Sequence, residues 1–88
     1  MSLKNELHLM KAKRQELINK NKSLEVVSEG SIILIRSLTN PYQQKLIKMK
    51  TEDILESAKQ LDKTIKAMRE NQEQIDQITE ELGDGEDC

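Results

Sequence analysis

From residue 54 onward the chain repeats. Apolar or small positions fall at Ile54, Ala58, Leu61, Ile65, Met68, Gln72, Ile75, Thr79 and Leu82, in steps alternating between four and three. That spacing is a heptad repeat with polar substitutions at Gln72 and Thr79, and it predicts a long amphipathic helix. The intervening positions are charged, and Asp62–Lys66, Lys66–Glu70 and Arg69–Glu73 are oppositely charged neighbours four residues apart. Each such pair supports a helix by roughly 0.2–0.5 kcal/mol. Gly83 follows the last periodic residue and predicts the stop.

The N-terminal segment steps in the same way through Leu3, Leu7, Met10, Arg14, Leu17, Asn21 and Leu24, with Ser2 placed to cap and Glu16–Lys20 as an ion pair. Arg14 and Asn21 fall on the apolar stripe. A polar residue there can fix register at a cost in stability, or, as a long arginine, lie along the edge with its head in water. The predicted seam therefore comprises Leu3, Leu7, Met10, Leu17 and Leu24 from one arm, and Ile54, Leu61, Ile65, Met68, Ile75 and Leu82 from the other.

Between the arms, Asn40-Pro41 with Gln43 reads as N-cap, first-turn proline and capping-box partner. The residue before a proline avoids helical angles, so the first helix should end near Leu38 or Thr39. These signals predict arms over 3–38 and 41–82, nearly equal in length, joined at Thr39 and Asn40. The fold class they imply is all-α: an antiparallel helical hairpin assembling into an oligomeric bundle or coiled coil. A break at Thr51 is a further possibility, because Lys45, Lys48 and Lys50 suit a helix end and Thr51-Glu52-Asp53 a helix start. Gly30 opens an alternative in the first arm, where Val26–Val27 could turn through 28–31 into Ile32–Ile35. That would give helix, short β-hairpin, helix, the layout of a chaperone-like coiled-coil subunit.

Composition sharpens the picture. There is no Trp or Phe and one Tyr, and charged residues make up 34% of the 88. A compact mixed core draws on aromatic area, so this composition favours helices packed on an aliphatic stripe. A chain of this length buries little surface alone and needs a staple or a partner. One cysteine, Cys88, and one histidine, His8, offer neither an intramolecular disulfide nor a zinc site. A partner chain is the remedy left.

The apolar load has a location. Leu, Ile, Val and Met number 6 in residues 3–23, 6 in residues 56–82, and 13 in residues 24–55, which surround the bend. Four successive residues, Ile32, Ile33, Leu34 and Ile35, wrap about three quarters of a helical turn and cannot all face one neighbour. The residues expected to carry assembly are Ile32, Ile33, Leu34, Ile35, Leu38, Leu46, Ile47 and Met49.

Charge is divided between the arms. Residues 1–50 hold ten Lys/Arg against four Glu, and residues 51–88 four Lys/Arg against twelve Asp/Glu. A basic arm beside an acidic one suits an antiparallel hairpin. Lys11, Lys13, Lys20 and Lys22 could contact phosphate, which makes a nucleic-acid-binding hairpin dimer an alternative. The sequence pI of about 5.4 and the lack of an aromatic residue beside those lysines weigh against it.

Nothing points to catalysis. The glycines, Gly30, Gly83 and Gly85, form no phosphate loop, and one His with a terminal Cys assembles no nucleophilic constellation. The expectation is a non-enzymatic interaction or scaffold subunit with no cofactor, metal or small-molecule substrate. It would pair with itself or with other coiled-coil proteins of a complex. One helical-hairpin domain over 1–83 and a disordered acidic tail over 84–88 complete the layout. The longest apolar run is four residues, far short of the ~20 needed to span a bilayer. Together with a single thiol and no export signal, this predicts an intracellular (cytoplasmic or nuclear) setting.

Overall fold

A computed structural model describes residues 3–43 and 45–83, with side chains from Asn5 onward. Two helices dominate: α1 over Leu3–Thr39 and α2 over Thr51–Leu82, joined through a turn and a short 3-10 helix at Leu46–Lys48. They pack side by side as an antiparallel hairpin, and no strand occurs among the described residues. The chain at Val26–Ile35 runs as uninterrupted helix, which overturns the β-hairpin alternative. Gly30 costs helix stability but does not break a helix about ten turns long whose neighbours propagate it.

The connection differs from the expected one. Tyr42 N–H donates to Asn40 Oδ1 at 3.0 Å and Gln43 N–H to the Asn40 carbonyl at 3.2 Å, so the Asn-Pro cap geometry forms. The helix it would begin does not propagate. Lys45 and Met49 are extended, with ψ 137° and 130°, and α2 starts at Thr51 rather than Pro41. Glu52 and Asp53 place negative charge in the first turn there, where the helix dipole favours it, whereas lysines 45, 48 and 50 disfavour an earlier start. Thr39 closes α1, its hydroxyl donating back to the Ile35 carbonyl at 2.8 Å. At the far end Gly83 takes φ 53°, and its N–H donates to the Thr79 carbonyl. A positive φ is readily adopted only by glycine, which accounts for the stop.

The molecule is a rod of 65 × 21 × 15 Å with a radius of gyration of 19.5 Å. A compact chain of this length would have about 12 Å. Surface is correspondingly abundant: 7184 Å² is accessible, against about 5,300 Å² for an ordinary monomer of this mass.

The register is set by Asn21 and Asn71, whose amides bond at 2.9 Å across the hairpin. On α1 the four-three steps continue beyond Leu24 through Ser28, Ser31, Ile35 and Leu38, all at least half-buried. On α2 the residues facing α1 are Ile54, Ser57, Leu61, Thr64, Met68, Asn71, Ile75, Ile78 and Leu82. Ile54, Leu61, Met68, Ile75 and Leu82 are the expected ones. Ser57, Thr64, Asn71 and Ile78 lie one residue before Ala58, Ile65, Gln72 and Thr79, which flank the seam.

Candidate interaction surface

What α1 and α2 bury against each other is unusually polar. Among the described residues the buried apolar ones are Leu17, Ile75 and Leu82, all in the open half of the hairpin. Toward the bend the buried positions are Ser28, Ser57 and Thr64, with Ser28 only 5% and Thr64 4% exposed. Thr64 donates to the Gln60 carbonyl of its own helix at 2.8 Å, and the Ser28 hydroxyl approaches Met68 Sδ across the hairpin at 3.8 Å. Asn21 donates to the Met68 carbonyl at 3.1 Å, and Arg14 reaches the Thr79 hydroxyl at 3.3 Å. No buried side-chain polar atom among the described residues lacks a partner. Each polar side chain is therefore accommodated, but these layers bury little apolar area.

The aliphatic residues near the bend lie outside. Ile33 is 65% and Val26 68% exposed on the face of α1 turned away from α2, and Val27 and Leu34 are exposed on the flank that also carries Lys13 and Lys20. Ile32, 38% exposed, sits on the flank. Leu46 and Ile47, the latter 92% exposed, project from the connection beside exposed Tyr42, and Leu55 is exposed on the first turns of α2. The eight residues expected to carry assembly thus divide: Ile32, Ile33, Leu34, Leu46 and Ile47 are exposed, while Ile35, Leu38 and Met49 are half-buried, the first two against α2. Leu9, Val26, Val27, Tyr42 and Leu55 join the exposed group without having been singled out from the sequence.

The predicted seam residues Met10, Leu17, Leu24, Ile54, Leu61, Met68, Ile75 and Leu82 are buried or half-buried between the helices. Leu7 is 38% exposed, Leu3 begins α1 with its side chain outside the described residues, and Ile65 borders a side groove. That groove runs along one flank, where Ile18, Lys22 and Glu25 of α1 face Ile65, Arg69 and Gln72 of α2 over a floor of Asn21 and Met68. The signal for the α2 register was present but weak: positions 57, 64, 71 and 78 have the same spacing as 58, 65, 72 and 79, but three of them are polar.

The lysines considered for phosphate are not gathered into one patch. Helical spacing places Lys11 and Lys22 on the groove flank and Lys13 and Lys20 on the other. Both of the latter approach Glu16, at 3.8 and 3.4 Å. Among the described residues no group of three His, Cys, Asp or Glu side chains could hold a metal ion, and no helix is long and apolar enough to cross a membrane. The tail 84–88 and Cys88 lie outside the described residues. No protein-family model, characterised protein or solved structure matches this chain.

Proposed function

We propose that this protein is a non-enzymatic interaction subunit, a helical hairpin that becomes stable by packing its aliphatic surface against further helices. One observation carries the reading: near the bend, serine and threonine take the most buried seam positions while Val26, Val27, Ile33 and Leu34 remain in water. Fully burying one such aliphatic side chain is worth roughly 1.5–3 kcal/mol. The hairpin forgoes that gain at Val26, Val27, Ile33 and Leu34, and a second helical surface recovers it. Self-association into a bundle and entry into a larger coiled-coil complex use the same surface.

Sedimentation equilibrium and circular dichroism test this together. The wild-type chain should self-associate, and its helicity should fall on dilution. Ile33→Asp with Leu34→Asp, both exposed in the hairpin, should weaken assembly at least tenfold. A wild-type chain that stays monomeric and melts cooperatively at every concentration would overturn the reading.

A further inference from the structure

The groove flank carries charges that match a second copy of this same chain. We infer that two hairpins pack groove to groove, head to tail, about a two-fold axis crossing the middle of the rod. The inference rests on the reading that the hairpin assembles, and assigns to a second copy the groove flank, a surface separate from the exposed face at Val26 and Ile33.

Lys22 and Arg69 line the groove, one from each helix. Seven residues make two helical turns, so Glu29 lies on the same face as Lys22, and Asp62 on the same face as Arg69. Each helix therefore presents a positive and a negative charge in one column, with opposite order along the chain. An antiparallel two-fold pairs residues symmetrically about its own level. If that level on α1 lies midway between 22 and 29, Lys22 meets the partner's Glu29 and Glu29 meets the partner's Lys22. On α2 the corresponding level lies midway between 62 and 69.

These two levels need not coincide, yet they do. With Asn21 opposite Asn71, the midpoint on α1 stands opposite a point between Lys66 and Ala67. That is one residue, about 1.5 Å, from the midpoint of Asp62 and Arg69. A single axis therefore satisfies both charge columns. The same axis sets Ile18 within one residue of the partner's Ile32 and Ile65 beside the partner's Ile65. Isoleucines left on the flank thus become the centre of a contact.

Among the described residues Lys22, Glu29 and Arg69 make no ion pair within the hairpin, and Asp62 has only Lys66, at 2.9 Å. A carboxylate can accept from both lysine and arginine. The parallel alternative, with both bends at one end, brings Lys22 level with the partner's Arg69 and Glu29 level with the partner's Asp62. Those like charges select against it. Area agrees: the rod's surplus of about 1,900 Å² over an ordinary monomer exceeds the ~800 Å² that each partner of a standard interface contributes. Glu25 is the one charge this axis sets beside its own copy.

Charge reversal in the full-length chain, read by sedimentation equilibrium, decides the matter. Lys22→Glu should weaken the dimer about tenfold, because two pairs per dimer become repulsive, and adding Glu29→Lys should restore it to within about threefold. Glu25→Gln should tighten it. Circular dichroism of the associated state confirms that each variant remains helical. A Lys22→Glu chain that dimerises as well as or better than wild type, or a double reversal that fails to rescue, overturns the head-to-tail axis. If wild type associates and only Ile33→Asp with Leu34→Asp disrupts it, the inference falls while the assembly reading stands. A cooperatively melting wild-type monomer removes both.

Discussion

Asn21 holds the middle of the seam: its amide donates to the Met68 carbonyl, and its carbonyl oxygen accepts from Asn71. Such a pair fixes which turn of α1 faces which turn of α2, since a slip by one heptad strands both amides. Asn21→Ala should cost about 1–2 kcal/mol, the partly buried Asn71 being left without its partner. Replacing both asparagines by leucine should raise the urea midpoint while loosening the register, as judged by exchange-broadened amide spectra. Gly30 gives a second residue-level prediction. Its backbone is helical and a Cβ there would meet nothing within 4 Å, so Gly30→Ala should stabilise the helix by about 1 kcal/mol. The midpoint of thermal unfolding should rise by roughly 4–8 °C. Serine at 28, 31 and 57 and threonine at 64 show how the seam differs from its apolar idealisation. Apolar periodicity reveals the aliphatic members of a stripe but passes over small polar ones, which have the same spacing and no hydropathy contrast.

The two helices stand on different footings. α1 carries the aliphatic surplus on its outer face, whereas α2 shows a cleaner apolar stripe that is rotated, so that Ile65 lies at the groove rather than in the seam. α2 also begins poorly: Lys50 is the residue before its first turn, and no side-chain cap bond is made there. Lysine at that end opposes the helix dipole and offers no acceptor to the first N–H groups. Lys50→Asp should stabilise the hairpin by about 1 kcal/mol, measurable by urea unfolding, with the gain shrinking in high salt. The start of α2 was legible as one of two candidates, at Pro41 or Thr51. Local capping rules favour both, and the start that forms is the one whose first turn carries Glu52 and Asp53.

As a whole the rod has too little buried apolar surface for its length. A chain whose fold is completed by a partner has a stability tied to its own concentration. The thermal midpoint of the wild-type protein should rise with each tenfold increase in concentration, and the Ile33→Asp, Leu34→Asp variant should show a smaller rise. Differential scanning fluorimetry over a dilution series checks both. Charge partition acts at this scale too. The basic first arm and acidic second arm favour antiparallel pairing inside one chain, and in the proposed dimer the finer alternation of Lys22, Glu29, Asp62 and Arg69 orients one hairpin on another.

Periodicity, glycine and proline placement, and composition were enough to determine an all-α hairpin with its bend near residue 40, its end at Gly83, and more aliphatic surface around the bend than two helices can share. These are local or additive properties, written in spacing and counts. Which face of α2 meets α1, and therefore that Ser57, Thr64 and Asn71 lie inside while Ile65 lies at the groove, was decided only when both helices were brought together. Two columns of equal spacing competed for the seam, and the Asn21–Asn71 bond, which rotating α2 by one residue would lose, holds the column that carries Asn71.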